Sequence, residues 1–309
     1  MLESVLQIFP VHIREQTRQA IERLKKIEEI RIRIGQPIEF LGEENAWYLG
    51  REQETALTKE RAYAYVIAEE DMQEMVTFLS RYSLYAFSEE IQNGYITLEG
   101  GHRVGLAGQV RMERAEVAEI SYIRFMDIRI AREHKGCALG LVSCLKREGG
   151  IYNTLLVSAP GIGKSTYLRD CIRLISDGGL RVSLIDERSE IAACHMGSPQ
   201  NDVGVRTDVL DRCSKPAGMR MMLRAMSPQV LAVDELGSEA DFEAVKQALN
   251  CGCKILGTIH AGNLEELSRK ESLRAWVDGG VFERYVLLEK DGQGVRSFTV
   301  YNGELERIC

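Results

Sequence analysis

The feature that most constrains the fold of this chain is the nonapeptide Ser158-Ala159-Pro160-Gly161-Ile162-Gly163-Lys164-Ser165-Thr166. It follows the apolar run TLLVS and precedes a segment with apolar residues at helical spacing, Leu168, Cys171, Ile172 and Ile175. A strand, a glycine-containing loop and a helix that begins at a lysine together make a phosphate-binding P-loop. The strict pattern G-x-x-x-x-G-K-[ST] fails at its first position, where Ser158 stands, but the G-x-G-K-S core is present.

Each part of this loop has an expected chemical role. Backbone N–H groups of the loop and the positive end of the helix bind phosphate oxygens. Lys164 reaches the β- and γ-phosphates, and the Ser165 hydroxyl ligates Mg²⁺. Thr166 is a lesser candidate, for the α-phosphate. The sequence therefore predicts ATP and Mg²⁺ as cofactors.

After Gly136, four short apolar runs alternate with helical segments: TLLVS, RVSLID, VLAVD and KILGTI. This alternation is typical of parallel βαβ units. We therefore predict a three-layer α/β sandwich, with a P-loop ATPase domain spanning residues 136–309.

Acidic and polar residues stand at the carboxyl ends of these runs, where α/β folds place their ligand crevice. After VLAV, Asp234 is expected to orient the water shell of the metal and Glu235 to polarise the attacking water. The triplets Asp186-Glu187-Arg188 and Thr258-Ile259-His260 are expected at the same crevice. Helix N-cap acids and a structural histidine are the alternative interpretations of these two triplets.

The first part of the chain has a different pattern. Residues 11–30 predict an amphipathic helix, with Ile13, Thr17, Ala20, Leu24 and Ile27 on one face. EEIRIRIGQPIEFL predicts strand, turn and strand, NGYITLEGGHRVGLAGQV a hairpin, and SYIRFMDIRIA one more strand. We predict a smaller mixed α+β domain over residues 1–135. Near the other end, ERYVLLEKDGQGVRSFTVYNG predicts a hairpin around Asp291-Gly292-Gln293-Gly294.

Charge and composition exclude several classes. With 39 basic and 46 acidic residues the net charge is −7, which provides no general attraction to nucleic acid. We find no signal peptide and no apolar run of about 18 residues, so we expect an unexported protein without a spanning helix. The eight cysteines include one close pair, Cys251-Gly-Cys253, without a second pair to complete a zinc site. Reduced thiols and a cytoplasmic location are expected.

Six segments together resemble the stage III sporulation protein AA family of endospore-forming bacteria, which is similar to the ATPases of type II and type IV secretion. They are IRIRIGQPIEF, GGHRVGLAG, IRIAREHKGCA, NTLLVSAPGIGKSTYLRD, SLIDERSEIAACHMGSPQNDVGVRTDVLD and MSPQVLAVDELG. The resemblance implies a RecA-like ATPase domain of the AAA group and a ring oligomer, for example a hexamer. It further implies a mother-cell role energising the channel between mother cell and forespore, with membrane-embedded channel proteins as partners.

The resemblance also implies residue roles. Asp186-Glu187 is similar to the acidic box of secretion ATPases, and Thr258-Ile259-His260 to their histidine box, which reads the γ-phosphate state. Arg103 is similar to the arginine on a strand of their first domain. The expected catalytic residues are therefore Lys164, Glu187, Glu235, His260 and Arg103. The chain departs from the family pattern at Ala261, because glycine is expected directly after the histidine.

Two other functions remain as alternatives. A RecA-like motor on nucleic acid would show a basic patch with interleaved aromatic residues, and the net charge of −7 argues against it. A nucleotide-gated scaffold with little turnover would not need Glu235. We expect no nucleic-acid partner, and contact with the inner membrane only through partner proteins.

Overall fold

The computed structural model describes residues 2–24, 26–42, 46–52, 55–80, 94–113, 116–269, 271–291 and 295–308. The chain divides into two compact units, Met1–Arg132 and Glu133–Cys309, here called unit 1 and unit 2. Each unit has its own sheet and its own hydrophobic core. That residues 1–135 and 136–309 are domains that fold independently stays a prediction.

Unit 1 contains a seven-stranded antiparallel sheet with the strand order β4-β3-β2-β1-β7-β6-β5. Its described strands are β1 (Ile27–Arg33), β2 (Glu39–Gly42), β3 (Ala46–Leu49), β4 (Leu57–Thr58), β5 (Tyr95–Thr97), β6 (Arg103–Glu113) and β7 (Glu116–Arg129). Its described helices are α1 (Glu3–Leu6), α2 (Val11–Arg23) and α3 (Glu69–Ser80), with a 3-10 turn at Arg61–Tyr63.

The period-two pattern of β1 explains the layering of unit 1. Ile30 and Ile32 are fully buried in the core that also contains residues of the three helices. Glu29 and Arg31 alternate with them and belong to the opposite face of the sheet, because successive side chains of a strand point to opposite sides. Unit 1 is therefore a two-layer α+β structure in which β1 has polar residues on the face away from the helices.

Three predictions for unit 1 are confirmed and one is wrong in part. The strand-turn-strand over EEIRIRIGQPIEFL, the hairpin of β5 with β6 and the strand within residues 121–131 are present. The predicted helix over 11–30 instead ends at Arg23, and Ile27 begins β1. Ile27 follows Leu24 and precedes Ile30 at helical spacing, whereas Ile30 and Ile32 have the spacing of a strand, and pairing of β1 with β2 and β7 favours the strand.

Unit 2 contains a second seven-stranded sheet with the order β12-β11-β13-β14-β10-β15-β16. Its strands are β10 (Thr154–Ser158), β11 (Val182–Asp186), β12 (Thr207–Asp211), β13 (Val230–Val233), β14 (Lys254–His260), β15 (Arg284–Lys290) and β16 (Arg296–Asn302). A separate short pair consists of β8 (Lys146–Arg147) and β9 (Gly150–Ile151). Six strands of the large sheet are parallel, and β16 is antiparallel to β15.

Helices cover both faces of this sheet. The described helices are α4 (Leu139–Leu145), α5 (Lys164–Asp177), α6 (Lys215–Ala225), α7 (Glu239–Asn250), α8 (Leu264–Arg269) and α9 (Glu271–Asp278). One core contains residues of α4 and α5 with Leu156, and the other contains residues of α6, α7 and α9 with Leu155. The strands read as continuous apolar runs because both of their faces are buried. The predicted three-layer α/β sandwich is confirmed.

The four predicted parallel runs are all strands of this sheet, and the predicted hairpin near the end is the pair β15–β16. Residues 292–294, which belong to the predicted turn of this hairpin, lie outside the described residues. The sequence did not reveal β12, the edge strand with the half-polar sequence TDVLD. It also did not give the strand order, which places β10 between β14 and β15.

Candidate active site

The loop between β10 and α5 has the backbone of a P-loop. Gly161 and Gly163 have φ angles of 79° and 109°, which other residues rarely adopt. Gly163 precedes Lys164, the first residue of the 14-residue helix α5, whose first N–H groups are available to an anion. Ser158, in place of the motif's first glycine, is buried and donates its hydroxyl to the carbonyl of Ala159 at 2.9 Å. The serine is thus satisfied within the loop.

Lys164 extends from α5 to the end of β14. Its side chain is largely buried, and its Nζ lies 2.7 Å from Nδ1 and 3.1 Å from Nε2 of His260. Burial lowers the pKa of Lys164, while the charges of Asp234 and Glu235 oppose this shift. The lysine therefore occupies a partly desolvated site in which a phosphate would be a strong additional partner.

Asp234 follows β13 and joins the P-loop helix to β14. Its Oδ2 accepts a hydrogen bond from Ser165 Oγ at 3.3 Å, and its Oδ1 accepts one from Thr258 Oγ1. A serine hydroxyl next to a carboxylate supplies the hard oxygen donors that Mg²⁺ prefers when phosphates complete its shell. These two side chains could therefore hold the metal of a metal–nucleotide complex.

Glu235 is held by contacts from two neighbouring strand ends. Its N–H donates to Thr258 Oγ1 at 2.8 Å, its Oε1 lies 2.8 Å from His260 Nε2, and its Oε2 lies 2.8 Å from Arg188 Nη1. Burial alone would raise the pKa of Glu235, but His260, Arg188 and Lys164 together hold it below its ordinary value. The carboxylate is consequently ionised at neutral pH.

Asp186 and Glu187 have different surroundings, although they are adjacent. Asp186 is fully buried and accepts backbone N–H bonds from residues 190, 191 and 192 at 2.8, 3.0 and 2.8 Å. Burial raises its pKa to about 6, against the effect of these bonds. Glu187 forms an ion pair with Lys215 at the start of α6. Asp186 therefore orders the loop in which Arg188 lies, next to Glu235.

The loop after His260 accommodates the departure at Ala261. Ala261 is buried and donates its N–H to the carbonyl of Ser158 at 3.2 Å. Asn263 Oδ1 accepts the N–H of Glu266 at 2.9 Å and so caps α8. This hydrogen bond of Ala261 thus joins the end of β14 to the end of β10.

The structure brings together Lys164, Ser165, Asp234, Glu235 and His260, all predicted from strand ends and the P-loop. Arg103 lies on β6 of unit 1, with its guanidinium 4.7 Å from the centre of the Tyr95 ring. The sequence did not predict Arg188 as the ion-pair partner of Glu235, although its position after a strand end was a usable signal. It also did not predict Arg296 beside Gly163, because that proximity depends on strand order.

Known proteins are similar to this chain in sequence and in fold. It is 38% identical over 270 residues to stage III sporulation protein AA of Bacillus subtilis, covering 86% of this chain and 83% of that protein. The DotB ATPase of Legionella pneumophila superposes with a TM-score of 0.59 at 17% identity, covering 96% of this chain and 82% of DotB. The pilus retraction motor PilT gives a TM-score of 0.61 at 17% identity, covering 93% of this chain and 81% of PilT.

The second unit, with its P-loop and acidic strand ends, has a RecA-like P-loop fold, and the chain shares its fold with the DotB ATPase and the motor PilT. The family model described as "Sporulation stage III, protein AA" matches residues 2–308, and the chain belongs to that family. The expected membership of the AAA group is wrong, because the fold is the RecA-like one that the chain shares with DotB and PilT. Among the described residues, no helix is long and apolar enough to cross a membrane.

Proposed function

We propose that this protein binds Mg²⁺–ATP at the P-loop and hydrolyses it to ADP and phosphate, with Glu235 polarising the attacking water. One observation carries the proposal. The Glu235 carboxylate lies 2.8 Å from His260, whose ring in turn lies 2.7 Å from the P-loop Lys164. A phosphate-binding lysine, a histidine and an ionised carboxylate are thereby linked at the end of one sheet.

The side chains suggest how the reaction would proceed. The P-loop N–H groups and Lys164 bind the phosphates and neutralise the charge that develops on them during transfer. The ionised Glu235 accepts a hydrogen bond from the attacking water and orients it in line with the leaving group. Ser165 and Asp234 would hold Mg²⁺, which would supply further neutralisation of the phosphate charge.

His260 is suited to report the γ-phosphate. Its ring contacts both Lys164 and Glu235. A γ-phosphate that binds Lys164 competes with this contact, so the histidine would change partners when ATP enters and when phosphate leaves. Glu187 forms an ion pair with Lys215. We propose it as a further catalytic acid, which contributes when this ion pair is broken.

The biological role that we propose follows from family membership and from the fold. The protein would act as a ring oligomer, for example a hexamer, in the mother-cell cytoplasm. It would energise the channel complex between mother cell and forespore and reach the inner membrane through membrane-embedded channel proteins. Arg103 would complete the ATP site in the assembled oligomer, from a neighbouring subunit or from its own first domain. The net charge of −7 supports partners other than nucleic acid.

Nucleotide binding to the full chain is the direct test of the site. Lys164→Ala removes the charge opposite the β- and γ-phosphates, so ATP affinity should fall by about 100-fold or more. The measurement is fluorescence titration with a labelled ATP analogue. Lys246→Ala, at an exposed lysine of α7 that pairs with Glu243, is a matched control and should bind as the wild type does. ATP affinity near the wild-type value in Lys164→Ala would refute the P-loop assignment.

A further inference from the structure

An arginine far from the P-loop in sequence lies directly against it. A Cβ atom built on Gly163 would be 3.0 Å from Cζ, 3.1 Å from Nε and 3.3 Å from Nη1 of Arg296. The guanidinium group therefore packs on the glycine that immediately precedes Lys164. Arg296 itself is exposed at the start of β16.

The position of β16 is fixed by packing on the P-loop helix. Phe298 lies two residues beyond Arg296 and meets Tyr167 of α5 edge-on, with ring centres 6.4 Å apart. The same phenyl ring would be 3.4 Å from a Cβ built on Gly140 in α4. Aromatic contacts of this kind stabilise a defined geometry. Arg296 is thus held near the first turn of α5 by its own strand.

A second cation lies next to Arg296. Lys290 is its direct cross-strand partner in the antiparallel pair of β15 and β16, so the two side chains share one sheet face. Like charges in this arrangement repel each other. Within the described part of the chain, no carboxylate forms an ion pair with either residue. The pair therefore creates a local positive charge at the carboxyl end of β15, beside the P-loop.

The strand order separates this charge from the hydrolytic groups. In the sequence β13-β14-β10-β15-β16, the P-loop strand β10 lies in the middle. Asp234, Glu235 and His260 follow or end β13 and β14 on one side, whereas Arg296 begins β16 on the other. Lys164 Nζ points to the first side, where it contacts His260.

We propose that Arg296, assisted by Lys290, binds the α- and β-phosphates of the nucleotide in the P-loop, on the side opposite Glu235 and His260. The proposal rests on the nucleotide binding proposed above. A planar guanidinium donates two parallel hydrogen bonds to phosphate oxygens, which a lysine does not. Arg296 is therefore a positioning residue that acts on ADP and ATP alike, because both contain these two phosphates.

The experiment measures ADP and ATP affinities of the full chain by titration calorimetry. Arg296→Ala should weaken both nucleotides by the same factor, about tenfold or more, as expected for a lost hydrogen bond to a charged group. Arg296→Lys should lose less, since it keeps the charge, and Lys290→Ala should show a smaller loss for both nucleotides. Arg307→Ala, another exposed arginine of unit 2, is the matched control and should bind as the wild type does.

Steady-state kinetics give a second readout. The contact of Arg296 with the α- and β-phosphates is the same in the ground state and in the transition state. Arg296→Ala should therefore raise KM for ATP by about the same factor as Kd and should change kcat less. A structural arginine would change the melting temperature without this selective rise in KM.

The possible outcomes separate the two proposals. Wild-type protein that binds neither ADP nor ATP would overturn the proposed function and this inference together. If the wild type and Arg307→Ala bind, and Arg296→Ala binds both nucleotides within twofold of them, this inference alone is wrong. A loss confined to ATP would place the arginine at the γ-phosphate and would equally refute it. If Arg296→Ala does not fold, Arg296→Lys and Lys290→Ala decide by the same criteria.

Discussion

Glu235 adopts a backbone conformation that glycine usually takes, with a φ angle of 52°. A left-handed conformation costs a non-glycine residue about 1 kcal/mol. The N–H bond to Thr258 and the contacts with His260 and Arg188 offset this cost. Because of this turn, two adjacent acids have different partners. Asp234 contacts Ser165 and Glu235 contacts His260.

A second carboxylate, in unit 1, has an unusual protonation behaviour. Burial and the neighbouring Glu29 carboxylate raise the pKa of Asp127 from 3.8 to about 6, although Arg129 and Arg31 oppose this. Its Oδ1 is buried without a donor among the described residues, and hydrogen bonding of Asp127 with Glu29 favours the form in which the pair shares one proton. The folded state therefore binds this proton more tightly than the unfolded state.

The pH dependence follows from the sign of this shift. The proton on Asp127 stabilises the folded state fully below about pH 4, and this stabilisation is lost as pH rises through about 6. The free energy of unfolding therefore falls by about 1 kcal/mol from this group between pH 5 and pH 8. Asp127→Asn keeps a donor toward Glu29 at every pH. Urea unfolding at both pH values should show the variant gaining about 1 kcal/mol relative to wild type at pH 8. Asp278→Asn, at an exposed acid of α9, should show no such gain. An equal difference at both pH values would exclude the shared proton.

The residues of the candidate site could largely be predicted from sequence. Lys164, Asp234, Glu235 and His260 follow local rules, since a P-loop and the carboxyl ends of apolar strands are visible in short windows. Arg188 was expected at the crevice within the triplet Asp186-Glu187-Arg188, but its ion pair with Glu235 was missed, as was Arg296 altogether, for a physical reason. Their positions depend on a buried Asp186 that orders a loop and on which strands are neighbours.

At the scale of elements, the turn after β13 packs on β14 through the side chain of Leu236, the residue after Glu235. Gly257 on β14 leaves room for this side chain, because a Cβ there would lie 2.5 Å from Cδ1 of Leu236. Gly257→Ala should therefore displace Leu236 and destabilise the protein by about 1–3 kcal/mol. Thermal and urea unfolding measure the effect.

Gly237 provides the matched control for this substitution. A Cβ on Gly237 meets no atom within 4 Å, and its φ angle is not positive. Gly237→Ala should change stability by less than about 0.5 kcal/mol. If both variants were equally stable, tight packing of β14 against the Glu235 loop would not be a requirement of the fold.

Elements were predictable where their periodicity was unambiguous. Four of the six parallel strands of unit 2 were found because each is a continuous apolar run between helical segments. The predicted boundary between α2 and β1 was wrong, because Ile27 continues the helical spacing of Ala20 and Leu24 and strand spacing begins only with Ile30 and Ile32. Strand order was not predictable from local patterns, since it depends on tertiary packing.

At the scale of the whole molecule, Arg103 tests whether unit 1 takes part in turnover. Arg103→Ala in the full chain should lower the ATPase rate by about 10³-fold while ATP affinity changes little, as for an arginine that stabilises transition-state charge. The rate is measured over a range of protein concentrations, because a contribution from a neighbouring subunit requires assembly.

Arg111→Ala on the same strand β6 is the matched control. Arg111 is an exposed arginine that pairs with Glu119, and its removal should leave the rate unchanged. A wild-type rate for Arg103→Ala at every protein concentration would show that this arginine is structural.

The central claim is that Glu235 makes this P-loop protein an ATPase. The most direct measurement is ATP hydrolysis by Glu235→Gln and wild type in parallel, together with ATP affinity. The amide keeps the size of the side chain but cannot polarise water as a carboxylate does. The account predicts wild-type ATP binding with turnover lowered by about 10²-fold or more. Hydrolysis at the wild-type rate in Glu235→Gln would contradict it.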